Sequence, residues 1–173
     1  MGSVVIVWTI RFSIILFFGT LIAWALPLKV WRFDRTLRML WSVGFVLFVA
    51  HVLAAFHFHH GWNHAAAVAE TARQTRDLIG LEFGVGLYFN YLFLLIWAFD
   101  LTWIWFVDAE IAKRYRWLRI VWLTYLIFIA FNGVAIFKSG WMRAGGIAAL
   151  TLITLGAIMR LKHQLPLGAN LEP

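Results

Sequence analysis

The sequence predicts an all-α integral membrane protein, built as a bundle of about five transmembrane helices. Of the 173 residues, 63% are hydrophobic and only 13% are charged, and the mean hydropathy is +0.82. Soluble domains contain roughly 45–50% apolar and about 25% charged residues. The apolar residues also form runs close to the ~20 residues that a bilayer-spanning helix needs. These observations exclude a water-soluble globule and a disordered chain.

Five apolar runs follow one another along what we interpret as a single domain. We expect spans near residues 4–28, 39–60, 83–107, 117–137 and 144–159. Pro27 and a basic stretch end the first run, and Gly61 stops the second. The fifth run is the shortest, and the alternative interpretation makes it a re-entrant or interfacial segment. Its small residues favour a close approach to another helix; they are Gly145, Gly146, Ala149 and Gly156.

The segment 61–82 differs from its neighbours because it is polar and rich in alanine. Asn63 is suited to cap the start of a helix, and Gly80 is suited to end one. Apolar and small side chains recur between them at helical spacing. We therefore predict a short polar helix between the second and third spans, on the outer face of the membrane.

The distribution of lysine and arginine predicts the orientation of the bundle. Ten of these residues fall in the first and third loops between spans and in the C-terminal tail, whereas four fall on the other side. Basic loops favour the cytoplasm, so we expect the N-terminus outside and the C-terminus in the cytoplasm of a cell (plasma or inner) membrane. The net charge of +7 is thus an orientation signal, and nucleic acid is not an expected partner.

The tryptophans carry a second signal about the boundaries of the spans. Amphipathic indole rings prefer the membrane interface. We expect that position for the tryptophans near predicted helix ends, which are Trp31, Trp41, Trp62, Trp117 and Trp141. Others, such as Trp97, fall inside the third span and are expected to serve packing.

Five of the six histidines are concentrated at the end of the second span: His51, His57, His59, His60 and His64. His57, His60 and His64 are spaced i, i+3 and i+7, so a helix continuing through Gly61 would place all three on one face. If Gly61 breaks the helix, His57 and His60 still share a face, and His64 begins the next helix beside them. Neutral imidazole is a common ligand of zinc, copper and iron.

We predict a metal site at this position, with copper or zinc as the expected ion and iron as a less favoured one. The predicted ligands are His57, His60 and His64, with His59 and His51 as accessory residues. The possible supporting carboxylates are Glu70 and Glu82. The absence of cysteine excludes thiolate ligands. The alternative is a set of interfacial histidines bonded to headgroups, to carbonyls or to each other. A haem is a third option, needing an axial ligand from a loop or a second subunit.

Four spans place a polar side chain at a similar level in the outer half, about 8–14 Å deep at ~1.5 Å per residue. These residues are Arg11, His51, Asn90 and Asn132. A charge inside a span is by default a functional hypothesis, so Arg11 is expected to line a polar cavity and to bind Glu82 or an anionic ligand. The alternative is that Arg11 snorkels to the interface. Asp100 lies deeper, where we expect it to pair with a basic residue of the cytoplasmic side such as Lys29 or Arg32; the less favoured alternative is a proton relay.

Together these features predict a multi-pass membrane protein with a histidine-rich metal site at its outer face, used in metal handling or as a redox centre. Any catalysis would proceed through that metal, and no substrate is indicated. The first alternative is an accessory or structural subunit of a larger respiratory or photosynthetic membrane complex, with other membrane subunits or a second copy as partners. The second is a small transporter or channel. The lipid bilayer is the expected surrounding in every case.

Overall fold

Seven helices make up most of residues 2–26, 33–135 and 140–164, which are the residues described by the computed structural model. They are α1 (Gly2–Ala25), α2 (Phe33–Phe58), α3 (His64–Ile79), α4 (Gly86–Phe106), α5 (Ala109–Arg114), α6 (Arg116–Ala135) and α7 (Trp141–Gln164). Five of them, α1, α2, α4, α6 and α7, are long and apolar enough to cross a membrane. The prediction of five such helices is confirmed. The fifth is longer than expected, because the apolar part of α7 covers the 20 residues Trp141–Arg160.

The polar segment forms the predicted short helix α3. Asn63 Oδ1 accepts a hydrogen bond from the Ala66 amide at 3.1 Å. Gly80 ends the helix in the left-handed conformation, with φ of 76°, and its N–H donates to the Arg76 carbonyl. Thr75 then fixes the following loop, because its hydroxyl accepts a hydrogen bond from the Phe83 amide at 3.0 Å. These bonds position α3 against the beginning of α4.

The five long helices form a closed ring in the order α1, α2, α4, α6, α7 and back to α1. Gly2 at the start of α1 lies against the ring of Phe58 at the end of α2, so these two helices are antiparallel. Gly156 in α7 lies against Ala25 at the end of α1, so α1 and α7 are parallel. We call the end of the bundle where α1 begins and α2 ends the histidine end, and the other the opposite end.

An aromatic core fills the middle of the ring. The rings of Phe17, Trp41 and Trp97 contact one another with centroid separations of 5.0–5.1 Å. All five long helices contribute buried side chains to this cluster. Because lipid is as apolar as these side chains, the cluster stabilises the bundle through close packing and dispersion.

The position of Trp41 corrects the interface prediction. We expected it at the membrane boundary because it follows a basic stretch, but its side chain is fully buried in the aromatic core. Trp97 is buried there too, as its place in the middle of the span predicted. Trp62, Trp117 and Trp141 are exposed near helix ends, and Trp31 lies outside the described residues.

Small residues allow α7 to approach its two neighbours. A Cβ at Gly146 would lie 2.8 Å from Val134 Cγ1 in α6, and one at Gly156 would lie 2.9 Å from the Ala25 backbone in α1. The predicted close approach is confirmed at these two glycines. Gly145 is different, because a Cβ there would meet nothing within 4 Å.

Asp100 ties α4 to α6 near the opposite end of the bundle. Its carboxylate is fully buried and accepts hydrogen bonds from Arg119 Nε at 2.9 Å and Trp122 Nε1 at 2.8 Å. The Arg119 guanidinium also lies 4.8 Å from the ring centroid of Trp24. The partner of Asp100 is therefore an arginine of α6, whereas the expected partners, Lys29 and Arg32, lie outside the described residues.

Candidate functional site

The histidine-rich stretch does not continue as one helix. α2 ends at Phe58, and the chain then turns through Gly61 and Trp62, with φ values of 52° and 62°. A positive φ is uncommon for a bulky residue, so the turn is an unusual backbone feature. α3 begins at His64. Of the two arrangements that the sequence left open, the structure has the one in which Gly61 interrupts the helix.

The three predicted metal ligands contact different aromatic side chains. The ring of His57 lies against Phe58, with centroids 4.7 Å apart, and that of His60 lies 5.7 Å from Phe56. The His64 ring lies 5.7 Å from that of Tyr88. His59 is exposed, and its ring centroid is 6.4 Å from that of His60. Within residues 2–26, 33–135 and 140–164, no three His, Asp or Glu side chains form a group that could hold a metal ion. The metal site stays a prediction from the sequence.

The two carboxylates considered as supporting ligands are both engaged in ion pairs. Glu70 accepts hydrogen bonds from Arg73 at 2.7 Å and Gln74 at 2.8 Å, and these bonds lower the pKa of its carboxyl group. Glu82 is paired with Arg76. Neither carboxylate is paired with Arg11, which lies on another side of the bundle.

The four polar residues expected at one level face three directions. His51 and Asn90 line a cavity in the centre of the ring. His51 Nδ1 donates to the Ile6 carbonyl oxygen at 2.9 Å, which links α2 to α1. Asn132 instead bonds within its own helix, donating to the Phe128 carbonyl oxygen at 2.6 Å. Arg11 lies between α1 and α7, near the rings of two tryptophans.

The central cavity has a volume of about 260 Å³ and is lined by α1, α2, α4 and α6. Its wall extends from His60, just beyond α2, down to Trp97, eleven residues inside α4. At 1.5 Å per residue this is a depth of about 16 Å. Most of the polar side chains lie in the part nearer the histidine end, namely His60, Tyr91, Asn90 and His51, whereas Ser13 lies deeper and donates a hydrogen bond to the Gly44 carbonyl oxygen at 2.8 Å. Aromatic side chains surround the deeper part, namely Phe17, Phe48, Phe93 and Trp97.

Four polar groups of this wall make no hydrogen bond with any described residue. They are the His60 imidazole, the Asn90 carboxamide, the Tyr91 hydroxyl and the indole N–H of Trp97, whose nitrogen is fully buried. Only the Trp97 nitrogen among these groups is fully buried, and a buried polar group without a partner costs about 1–3 kcal/mol. The Asn90 side chain is exposed and those of Tyr91 and His60 are half-buried, so a molecule in the cavity can form hydrogen bonds with these three side chains. The wall can therefore select a molecule that combines an apolar body with a polar group.

Reasoning from the sequence placed His51 and Asn90 at one level and expected a polar cavity there with Arg11 in its wall, but it did not identify the apolar and aromatic wall that His51 and Asn90 share. The missed signal is a pair of helical repeats: Phe48, His51, Val52 and Ala55 in α2, and Asn90, Phe93 and Trp97 in α4. Each set recurs at steps of three or four residues and so marks one face of a helix. In a fully apolar helix, such a face does not stand out by hydropathy alone.

Comparison with protein-family models, with curated proteins and with solved structures found no match to this chain. What the site can do is therefore derived from the geometry of its own residues.

Proposed function

We propose that this multi-pass helical membrane protein binds a small, mainly aromatic or aliphatic molecule carrying one hydrogen-bonding group in its central cavity. The observation that carries the proposal is the placement of Asn90. Asn90 belongs to α4, one of the helices apolar enough to span a membrane; its exposed side chain lines the cavity and makes no hydrogen bond with the described residues. A polar side chain at such a position is costly unless it serves a ligand, water or a partner.

The size of the cavity limits the ligand. A protein cavity of ~150 Å³ is large enough for benzene, and this cavity has about 260 Å³. It therefore has room for a molecule of one substituted ring or two fused rings. The aromatic side chains of the deeper part favour a flat ring, since aromatic pairs contribute about 0.5–1.5 kcal/mol beyond their buried area.

The geometry favours binding over conduction. Beneath the cavity, Phe17, Trp41, Trp97 and Leu126 pack together and are each no more than 1% exposed. This aromatic core separates the cavity from Asp100 and the opposite end. A channel or transporter would have to move these side chains apart, whereas in a binding site they close the inner end of the cavity.

Calorimetric titration of the purified protein in detergent tests the proposal with 1-naphthol and naphthalene, which differ only in one hydroxyl group. We expect saturable binding of 1-naphthol at one site. Asn90→Leu is expected to lower that affinity about tenfold, because a hydrogen bond contributes about 0.5–1.5 kcal/mol. The affinity for naphthalene should change much less.

A glycine of the wall supplies the matched variant. A Cβ at Gly133 would meet nothing within 4 Å, so Gly133→Leu fills the cavity without a clash at its first carbon and should abolish binding of both probes. Gly145→Leu, which adds the same bulk outside the cavity, should bind them like the wild type. Wild-type affinity in Gly133→Leu, or no saturable binding by the wild type, would contradict the proposal.

A further inference from the structure

A second cavity lies between α1 and α7, with a volume of about 280 Å³. We call it the α1–α7 crevice. Its wall is almost wholly apolar, and Arg11 is the one charged residue among the described residues that line it. The other lining residues are Ile14, Ile15, Phe18, Gly19, Ile22, Val134, Trp141, Met142, Gly145, Gly146 and Ala149. Of these residues, Ile14 alone also lines the central cavity.

Arg11 carries a charge without a carboxylate partner among the described residues. Its guanidinium instead lies 5.2 Å from the ring centroid of Trp8 and 5.8 Å from that of Trp141. Residues 136–139, between α6 and Gly140, read Ile-Phe-Lys-Ser and contain no acidic residue. The described residues therefore provide aromatic faces around this cation but no anion to neutralise it.

The two tryptophans also show where the guanidinium lies. Trp141 is the first residue of α7 and is exposed, which suits an indole at the membrane interface. The Arg11 side chain extends from within α1 toward this level, so its charge is at the rim of the crevice while its stem covers apolar surface. A guanidinium in this position matches the planar, two-oxygen face of a phosphate group.

The rest of the crevice matches a hydrocarbon chain. From Arg11 to Ile22 the wall runs eleven residues along α1, which is about 16 Å at 1.5 Å per residue. One leaflet of a bilayer has a hydrocarbon depth of about 15 Å, half of the ~30 Å core. Gly19 and Gly145 leave open space along the wall, because a Cβ at either position would meet nothing within 4 Å.

We propose that the α1–α7 crevice is a specific phospholipid site, in which Arg11 binds the phosphate of the headgroup and one acyl chain occupies the apolar wall. The occupant is identified by charge complementarity and by length. A free anion would leave the apolar wall unused, and a hydrocarbon alone would leave the guanidinium without a counter-ion.

The test uses delipidated protein in detergent, titrated with phosphatidylglycerol while bound lipid is counted by native mass spectrometry. We expect the first phosphatidylglycerol molecule on each protein to bind more tightly than any further molecules. Arg11→Gln should weaken this binding about tenfold, as expected for loss of a charge-assisted hydrogen bond. Gly145→Leu and Gly19→Leu, which fill the wall, should weaken it by at least as much.

Matched controls separate a site from general effects of charge and bulk. Arg143→Gln removes an exposed charge near the same end of α7, and Ala148→Leu adds bulk to an exposed position of α7 that does not line the crevice. Both should bind the lipid like the wild type. Circular dichroism and size-exclusion chromatography identify any variant that fails to fold. If one of Gly145→Leu and Gly19→Leu does not fold, the other still tests whether the apolar wall holds the acyl chain.

Two further ligands distinguish the sources of the phosphate. Diacylglycerol, which lacks the phosphate, should bind the wild type about as weakly as phosphatidylglycerol binds Arg11→Gln. Inorganic phosphate should not compete with the lipid at equal concentration. The proposal is overturned if all variants bind phosphatidylglycerol equally, if diacylglycerol binds as well, or if inorganic phosphate displaces the lipid.

Discussion

The buried carboxylate of Asp100 gives the most quantitative prediction. It accepts hydrogen bonds from Arg119 Nε at 2.9 Å, Arg119 Nη2 at 3.4 Å and Trp122 Nε1 at 2.8 Å, and no part of it is exposed. Asp100→Leu removes both acceptor oxygens, and with them all three hydrogen bonds, and leaves the guanidinium without its counter-ion. Removing one partner of a buried ion pair generally costs about 3–5 kcal/mol.

The structure places the expected cost at the lower end of this range. The Arg119 side chain is 27% exposed and its guanidinium lies over the ring of Trp24, so part of its charge remains stabilised after the substitution. We expect a loss of about 3 kcal/mol for Asp100→Leu. Asp100→Asn keeps an acceptor oxygen but loses the negative charge. A hydrogen bond to a charged group is stronger than a neutral one by about 1 kcal/mol, and this difference applies to each of the two shorter bonds. We expect about 2 kcal/mol for this variant.

Reversible unfolding in mixed micelles, with the fraction of denaturing detergent increased stepwise, measures these losses through tryptophan fluorescence and circular dichroism. The double variant Asp100→Leu/Arg119→Met should lose less than the sum of the single variants, because it leaves no unpaired charge. Asp108→Asn is the control, since Asp108 is exposed and makes no capping hydrogen bond. A loss below about 1 kcal/mol for Asp100→Leu, or strict additivity in the double variant, would refute the pairing as a source of stability.

Three further predictions concern other parts of the bundle. Gly146→Ala should lower the free energy of unfolding by about 1–3 kcal/mol through overpacking against α6. Gly145→Ala should leave the free energy of unfolding nearly unchanged. Equal losses for the two variants in the same micelle titration would contradict the contact between α7 and α6 at Gly146. The pKa of Glu70 is lowered on folding, so its contribution to stability is fully present above its ordinary value of 4.5 and is lost as the pH falls through the lower folded value. The protection factors of the α3 amides, which correct for the pH dependence of intrinsic hydrogen exchange, should fall over that acidic range, and pH-independent protection would contradict this prediction. The histidine site predicted from the sequence should retain stoichiometric copper or zinc in elemental analysis and lose it in His60→Ala; protein that neither retains nor takes up either ion would exclude it.

The sequence predicted the parts of the fold that depend on local chemistry. Spanning length follows from a run of apolar residues, and the ends of α3 follow from the capping chemistry of Asn63 and Gly80, which the structure confirms. The close approach of Gly146 and Gly156 was also predictable, because small residues commonly mark helix contacts in membranes.

Features that depend on which helices are neighbours could not be predicted in the same way. Trp41 is near a basic stretch in the chain, but the rotation of α2 turns it into the core. The choice of Arg119 for Asp100 required the ring order, since Arg119 belongs to another span. Likewise, the spacing of the histidines allowed one shared face, and only the backbone through Gly61 and Trp62 decides against a continuous helix.

The closed ring makes one of its five junctions different from the rest. Spans that alternate in direction around a ring of five must bring two of like direction together, and these are α1 and α7. α1 and α7 are the first and last of the five described spans, so no loop joins them directly. The contact of Gly156 with Ala25 and the hydrogen bond from Arg160 to the Leu26 carbonyl oxygen link them near the opposite end. Toward the histidine end the α1–α7 crevice lies between them, so helix contacts, with no connecting segment, set the distance between these two spans.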